Sequence, residues 1–336
     1  MNATPHHTQT PGAARPRVLH IVDMPGAGWD ALAAAARCAA VESAQQRMLL
    51  IGDHAAAADA AAFGLQPDYR LCPPLNRLPA AVGPLDRLMK AVRRSWPVDL
   101  IHVWSDSARV LCRETLGYAL PITQEDPAPF APALRPLDRS AARAAMGVAP
   151  HETAVLLASD RPGVGDARRF AGMVGVLALA EYAVVGVAPR SSDSFRRAAR
   201  FLRGFNRAWD IVPLATPPHL AVSGADIIVY DQGDSLVSDA GPGPRSGGVV
   251  HAAGALGMPV ITTDSPLARR LLLPLAAELI ARNGTMPEIA RLTAPLCSDP
   301  ARRAAVGEKL RTLLAHTERP RMDKRWLAAL TQGAAA

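Results

Sequence analysis

The sequence predicts an α/β protein made of two doubly wound, Rossmann-like parallel-sheet domains facing a cleft. Three observations carry that prediction. The chain has 336 residues, about twice a typical domain length, so two domains of roughly 150 residues are the natural division. Short apolar runs alternate with helical stretches in two successive series, as expected of strands buried on both faces beneath helices. Between the series, Pro121, Pro127, Pro129, Pro132 and Pro136 interrupt any regular element and read as an interdomain connection. The expected division is a disordered tail over 1–16, a first domain over 17–135 and a second over 136–320. A helix and tail over 321–336 would close the chain and could pack back on the first domain.

The elements follow in order. In the first series, strands are expected over 17–23 (RVLHIVD), 47–52, 98–104 and 119–123, with helices over 29–43 and 85–96. The turn at Met24-Pro-Gly-Ala-Gly28 joins the first strand to an Ala-rich helix, the opening of a doubly wound sheet. The second series begins with a short helix over 139–147 stopped by Gly147. Strands are expected over 153–158, 182–187, 209–213, 226–230 and 258–263. Helices are expected over 167–179, 192–204, 247–257, 266–282, 287–296, 300–316 and 323–330. No repeat at solenoid periods is visible.

Composition narrows the function classes. Apolar residues make up 49% and charged residues 20%, which suits substantial cores; aromatics at 4% favour thin, closely packed layers over large aromatic pockets. The net charge is +7, and Arg pairs recur at 93–94, 168–169, 196–197, 269–270 and 302–303. Such a surface can attract nucleic acid, anionic lipid or a phosphorylated small molecule. No aromatic-interleaved platform or zinc finger accompanies the pairs, so they read as solvated helix faces and no nucleic-acid partner is expected. Peripheral membrane contact stays open. Cys38, Cys72, Cys112 and Cys297 are scattered without C-x-x-C spacing and read as buried small hydrophobes in a reducing compartment, not as a disulfide framework or metal site. The segment 1–16 lacks the apolar core of a signal peptide, and no run is long and apolar enough to span a bilayer, so a cytoplasmic location is expected.

Two loops could carry chemistry. Pro25-Gly-Ala-Gly-Trp-Asp30 links strand to helix, and Gly28 would let an anion approach the helix amides; it is not a G-x-G-x-x-G fingerprint, and a plain turn is the alternative reading. The stretch from Asp231 to Ile261 leads through a glycine–proline loop into a helix near Ser246. Ser246 is a candidate N-cap, and the amides of Gly247 and Gly248 would point at a phosphate. Asp234, Asp239 and Asp264 surround the same loop and could meet hydroxyls or simply cap turns. Arg161 follows a strand and suits phosphate. His102 ends a buried strand, where a satisfied core imidazole competes with a catalytic one, and His251 lies on the helix after the second loop.

Four segments in order resemble the family 4 GT-B glycosyltransferases. Ala253-Gly-Ala-Leu-Gly-Met-Pro-Val260 resembles the end of that family's donor-site helix, and 139–148 is similar to its R-x3-R-x2-L-G segment. The stretch 298–307 is similar to its D-P-x-x-R helix, and Asp99-Leu-Ile-His-Val-Trp104 to its D-[LVI]-I-H-x-H strand. The resemblance implies a GT-B fold and a retaining hexosyl transfer from a nucleotide-diphosphate sugar to an unknown acceptor. The donor is a co-substrate, with no other cofactor and no metal. Gly28, Arg161, Ser246, Gly247, Gly248 and His251 would hold the donor, and His102 would stand at the catalytic position. The departures are as specific. Pro244 and Ala252 stand where the family has its two glutamates, Asp166 where a Lys follows Arg161, and Trp104 where the strand has its second His. Pro and Ala offer no acceptor to a sugar or ribose, and loss of the Lys removes a cation that steadies the leaving diphosphate. A catalytically inactive GT-B-like binding or scaffold protein is the alternative reading, and another nucleotide-sugar enzyme such as an epimerase is a third.

Overall fold

A computed structural model describes residues 15–24, 28–39, 44–73, 78–117, 120–124, 137–159, 167–189, 211–231 and 247–316. The helices expected over 192–204 and 323–330, both chain ends, Arg161, Asp166, Asp234, Asp239, Pro244 and Ser246 lie outside the described residues.

The first half contains β1 (Arg17–Asp23), α1 (Gly28–Ala39), β2 (Gln45–Ile51), α2 (His54–Ala62), β3 (Tyr69–Leu71), α3 (Val82–Ser95), β4 (Leu100–Val103), α4 (Asp106–Leu116) and β5 (Ile122–Gln124). Its strands pair in parallel in the order β3-β2-β1-β4-β5. Strand side chains alternate between faces. Val18, Val22, Met48, Leu50, Leu100 and Trp104 therefore pack under α1 and α2, while Leu19, Ile21, Leu49, Ile51, Ile101 and Val103 meet α3 and α4. Both faces are covered, which is why these strands read as unbroken apolar runs.

The second half runs α5 (Arg139–Met146), β6 (Thr153–Ala158), α6 (Ala167–Leu179), β7 (Val184–Pro189), β8 (Ile211–Leu214), α7 (Pro218–Ala221), β9 (Ile227–Tyr230), α8 (Gly248–Ala255), β10 (Val260–Thr263), α9 (Pro266–Leu272), α10 (Ala276–Leu279), β11 (Ile280–Ala281), α11 (Met286–Ser298) and α12 (Pro300–His316). Its parallel order is β11-β10-β9-β6-β7-β8. The expected two-domain α/β, Rossmann-like architecture is what the chain adopts.

Several elements differ from expectation. The helix expected over 266–282 is broken, because Pro274 sits in a 3-10 turn over Leu273–Leu275 and cannot continue the α-helical ladder. The chain then leaves α10 to add β11 at the sheet edge. Helices α2, α4 and α7 and strand β3 are additions to the expected elements. Cys38 and Cys112 are buried as expected, but Cys72 is exposed and Cys297 half-buried. Burial pushes the Cys112 and Cys297 thiols up to about 12, so neither supplies a thiolate near neutrality. No helix among the described residues is long and apolar enough to cross a membrane.

The R-x3-R segment has a visible structural task. Asp138 caps α5 through the amides of Ser140 and Ala141 (2.9 and 3.1 Å), and Gly147 ends the helix at φ 66°. Arg143, nearly buried, donates to the carbonyls of Ala149 (2.5 Å), Glu152 (2.7 Å) and Gly224 (3.3 Å) and to Asp226 Oδ2 (3.0 Å). Asp226 also accepts from the Ala154 amide and from Arg139. One guanidinium thus joins α5, the start of β6 and the lead into β9.

The D-P-x-x-R helix, α12, lies against α8. A Cβ at position 307 would fall onto the Gly257 carbonyl, with its carbon at 2.6 Å. Gly307→Ala should gain about 1 kcal/mol of helix propensity, yet the backbone opposite cannot give way, and overpacking costs about 1–3 kcal/mol. The expected result is a net loss read as a lower urea midpoint. A stabilised variant would contradict this packing.

Candidate functional site

In an open parallel sheet, ligands bind beyond the strand carboxyl ends where chain connections diverge to opposite sides. Here these points fall between β1 and β4 in the first sheet and between β6 and β9 in the second. At the first, Ser105 donates to both carboxylate oxygens of Asp23 at 2.9 Å and accepts from the Ala108 amide, tying the exits of β1 and β4 together. Helix α1 follows β1, and α8 follows β9.

The two helices meet at their amino-terminal ends across the domains. Gly28 opens α1 with φ 62°, and Asp30 lies in its first turn. Gly247 precedes α8 at φ 68° and serves as its N-cap without a side-chain cap bond, so the cap position expected at Ser246 falls one residue later. The Gly247 carbonyl accepts from the amides of Val250 and His251. The Gly248 amide, expected to face a phosphate, donates instead to Asp30 Oδ2 at 3.0 Å. The other Asp30 oxygen pairs with His219 Nε2 of α7. Both side chains are wholly buried.

His219 belongs to the second half but lies among first-half aromatics, edge-on to Trp29 and Phe63 with ring centroids 6.4 and 6.3 Å away. Its neighbour Leu220 joins the core under α1 and α2. Its Nδ1 is buried without a hydrogen-bond partner. Trp29 donates from Nε1 to Asp59 Oδ2 at 2.8 Å, which fixes the ring. His251, on α8, is half-buried. Burial lowers its pKa and Arg270 adds to this, while Asp30 opposes it, so the imidazole is predominantly neutral at pH 7. Ala252 is buried.

His102 is a core residue in this structure. It pairs in register with His20 on β1, and its Nδ1 is 2.9 Å from Thr123 Oγ1 on β5. The two imidazoles are 5.3 Å apart, and Trp104 lies against His102 at 4.4 Å. His20 Nε2 donates to Gln46 Oε1, whose amide nitrogen donates to the Cys38 carbonyl. Burial lowers the His20 pKa to about 4 and holds His102 well below the usual imidazole value, with His20 adding to the effect. Asp264 pairs with Arg269 at 2.6 Å near the surface. A small recess at the carboxyl ends of β9 and β10 is lined by Arg169, Tyr230, Asp231, Thr262 and Thr263 among others.

The residues that sequence reasoning missed are Asp30 and His219. An acidic residue in a first helical turn is ordinary, and nothing in the local sequence ties it to a histidine 189 positions later.

Two facing Rossmann-like domains of this kind define the GT-B fold, and solved structures bear this out. The chain matches a UDP-N-acetylglucosamine 2-epimerase from Listeria monocytogenes with a TM-score of 0.63 at 13% identity, covering 88% of this chain and 91% of that one. It matches Anabaena HepE, solved with UDP and glucose, with a TM-score of 0.61 at 12% identity and coverages of 94% and 99%. A glycosyltransferase from Rickettsia africae gives 0.58 at 10% identity, with coverages of 96% and 99%. No family model matches the sequence, and neither does any curated protein.

Proposed function

We propose that the chain is a GT-B nucleotide-sugar protein that transfers a hexosyl group from a nucleotide-diphosphate sugar, with the diphosphate seated at the amide end of α8. The observation carrying this reading is that α1 and α8, each following a strand at a switch point, converge on one position already holding an anion, the Asp30 carboxylate. Helix amide ends favour anions, and the similar Anabaena structure holds UDP with glucose. Arg161 would supply the cation, and Gly28, Gly247, Ser246 and His251 the remaining surroundings. No metal step is needed in this reading.

A second reading, a GT-B-like binding or scaffold protein without catalysis, is favoured by two specific features. The Gly248 amide is already engaged, and Ala252 offers no carboxylate. A panel of nucleotide-diphosphate sugars separates the readings. Catalysis predicts slow release of free sugar and nucleoside diphosphate, whereas a binding protein gives thermal stabilisation without release, about 2.7 kcal/mol at a hundredfold excess over Kd. In both cases Arg161→Ala should abolish the stabilisation. Absence of any shift at millimolar nucleotide would sink the donor-site reading; a new epimer of the sugar would move the chemistry to epimerisation.

A further inference from the structure

Asp30 is buried with no solvent contact, on an interface where two different halves of the chain meet. Among the described residues, one of its oxygens meets the α8 amide and the other the His219 imidazole. Position 248 is fitted to it, because any Cβ there would collide with the carboxylate, whose carbon would lie at 2.7 Å. One neighbouring contact also crosses between halves: Leu220 of α7 packs in the first-half core. Among the described residues, His219 of α7 pairs with the carboxylate, and His251 of α8 feels its charge together with that of Arg270 of α9. A carboxylate and a phosphate cannot share one amide, and two anions in contact in a dry interface repel strongly.

We propose that Asp30 is an internal stand-in for the anionic ligand: its carboxylate closes the amide end of α8, and a diphosphate enters only as α1 draws away from α7 and α8. Ligand admission and separation of the two domains at this edge are then one event. The ligand class rests on the nucleotide-sugar reading above, but the gate itself is tested with inorganic pyrophosphate. Phosphorus NMR line broadening measures pyrophosphate affinity for the wild-type chain and for Asp30→Asn, each first shown folded by a cooperative thermal melt. Asp30→Asn keeps an acceptor for Gly248 and removes the charge, and its affinity should exceed the wild type's by on the order of a hundredfold. Asp30→Ser also shortens the side chain, should bind at least as tightly, and serves if the first variant does not fold. Equal affinity in the wild type and the variants, or no binding in any, overturns the proposal, because removing the charge then changes nothing at the seat. Nucleotide binding is read separately on the same proteins. Variants that take pyrophosphate while every nucleotide sugar is refused uphold the gate and sink the donor reading. Nucleotide binding unaffected by Asp30→Asn does the reverse.

Discussion

Arg143→Ala should lower the unfolding free energy by about 3–5 kcal/mol, the range for breaking a buried ion pair by removing one partner. The guanidinium is 11% exposed and the Asp226 carboxylate 10%, so water replaces little of what is lost. Three backbone carbonyls lose a charged donor as well. Burial would raise the Asp226 pKa, but the Ala154 amide, Arg139 and Arg143 together hold it below the usual carboxylate value. Arg139 reaches the same carboxylate with a side chain 52% exposed, and Arg139→Ala should cost no more than about 1 kcal/mol. Denaturant titration of the two variants checks the contrast. Similar small losses in both would mean that Arg143 is not the clamp described.

Acid should destabilise the protein steeply, through the buried imidazoles of the first sheet. The sign follows from linkage. His20 has a folded pKa of about 4 against an ordinary 6.5, so between these values the unfolded chain binds more protons and stability falls with pH. The contribution is complete above about pH 6.5 and is lost as pH drops towards 4, about 3 kcal/mol for this one group. His102, also lowered, acts in the same direction, and Asp226 extends the acid limb. His20→Gln, which can still donate to Gln46, should flatten the stability profile between pH 6.5 and 4. An unchanged acid limb in that variant would show that His20 does not titrate as described.

The fold was legible because both sheets are covered on both faces. Runs such as Val18-Leu-His-Ile-Val22 and Ala154-Val-Leu-Leu-Ala158 had to be interior strands, and glycine or proline marked most element ends. The short elements were not legible. Helix α7 is four residues long after Pro217 and carries no periodicity to read. Its importance comes from where it docks, in the core of the other domain, and such contacts leave no local trace. The candidate site was half legible for the same reason. Gly247 and Gly248 drew attention as a helix amide end, while the carboxylate lying on Gly248 belongs to a helix 218 residues earlier. His102 could be read two ways from sequence, and its solvent-free position beside His20 and Thr123 gives it a core role in this structure.

In the proposed reading an anionic ligand seats at the amide end of α8, facing α1. Hydrogen–deuterium exchange of the wild-type chain with and without excess UDP or GDP reads that seat. Exchange should change chiefly in 28–39, 218–221 and 247–255, as Asp30 leaves Gly248 and phosphate replaces it. Bound nucleotide with unchanged exchange in those three segments would place the ligand elsewhere.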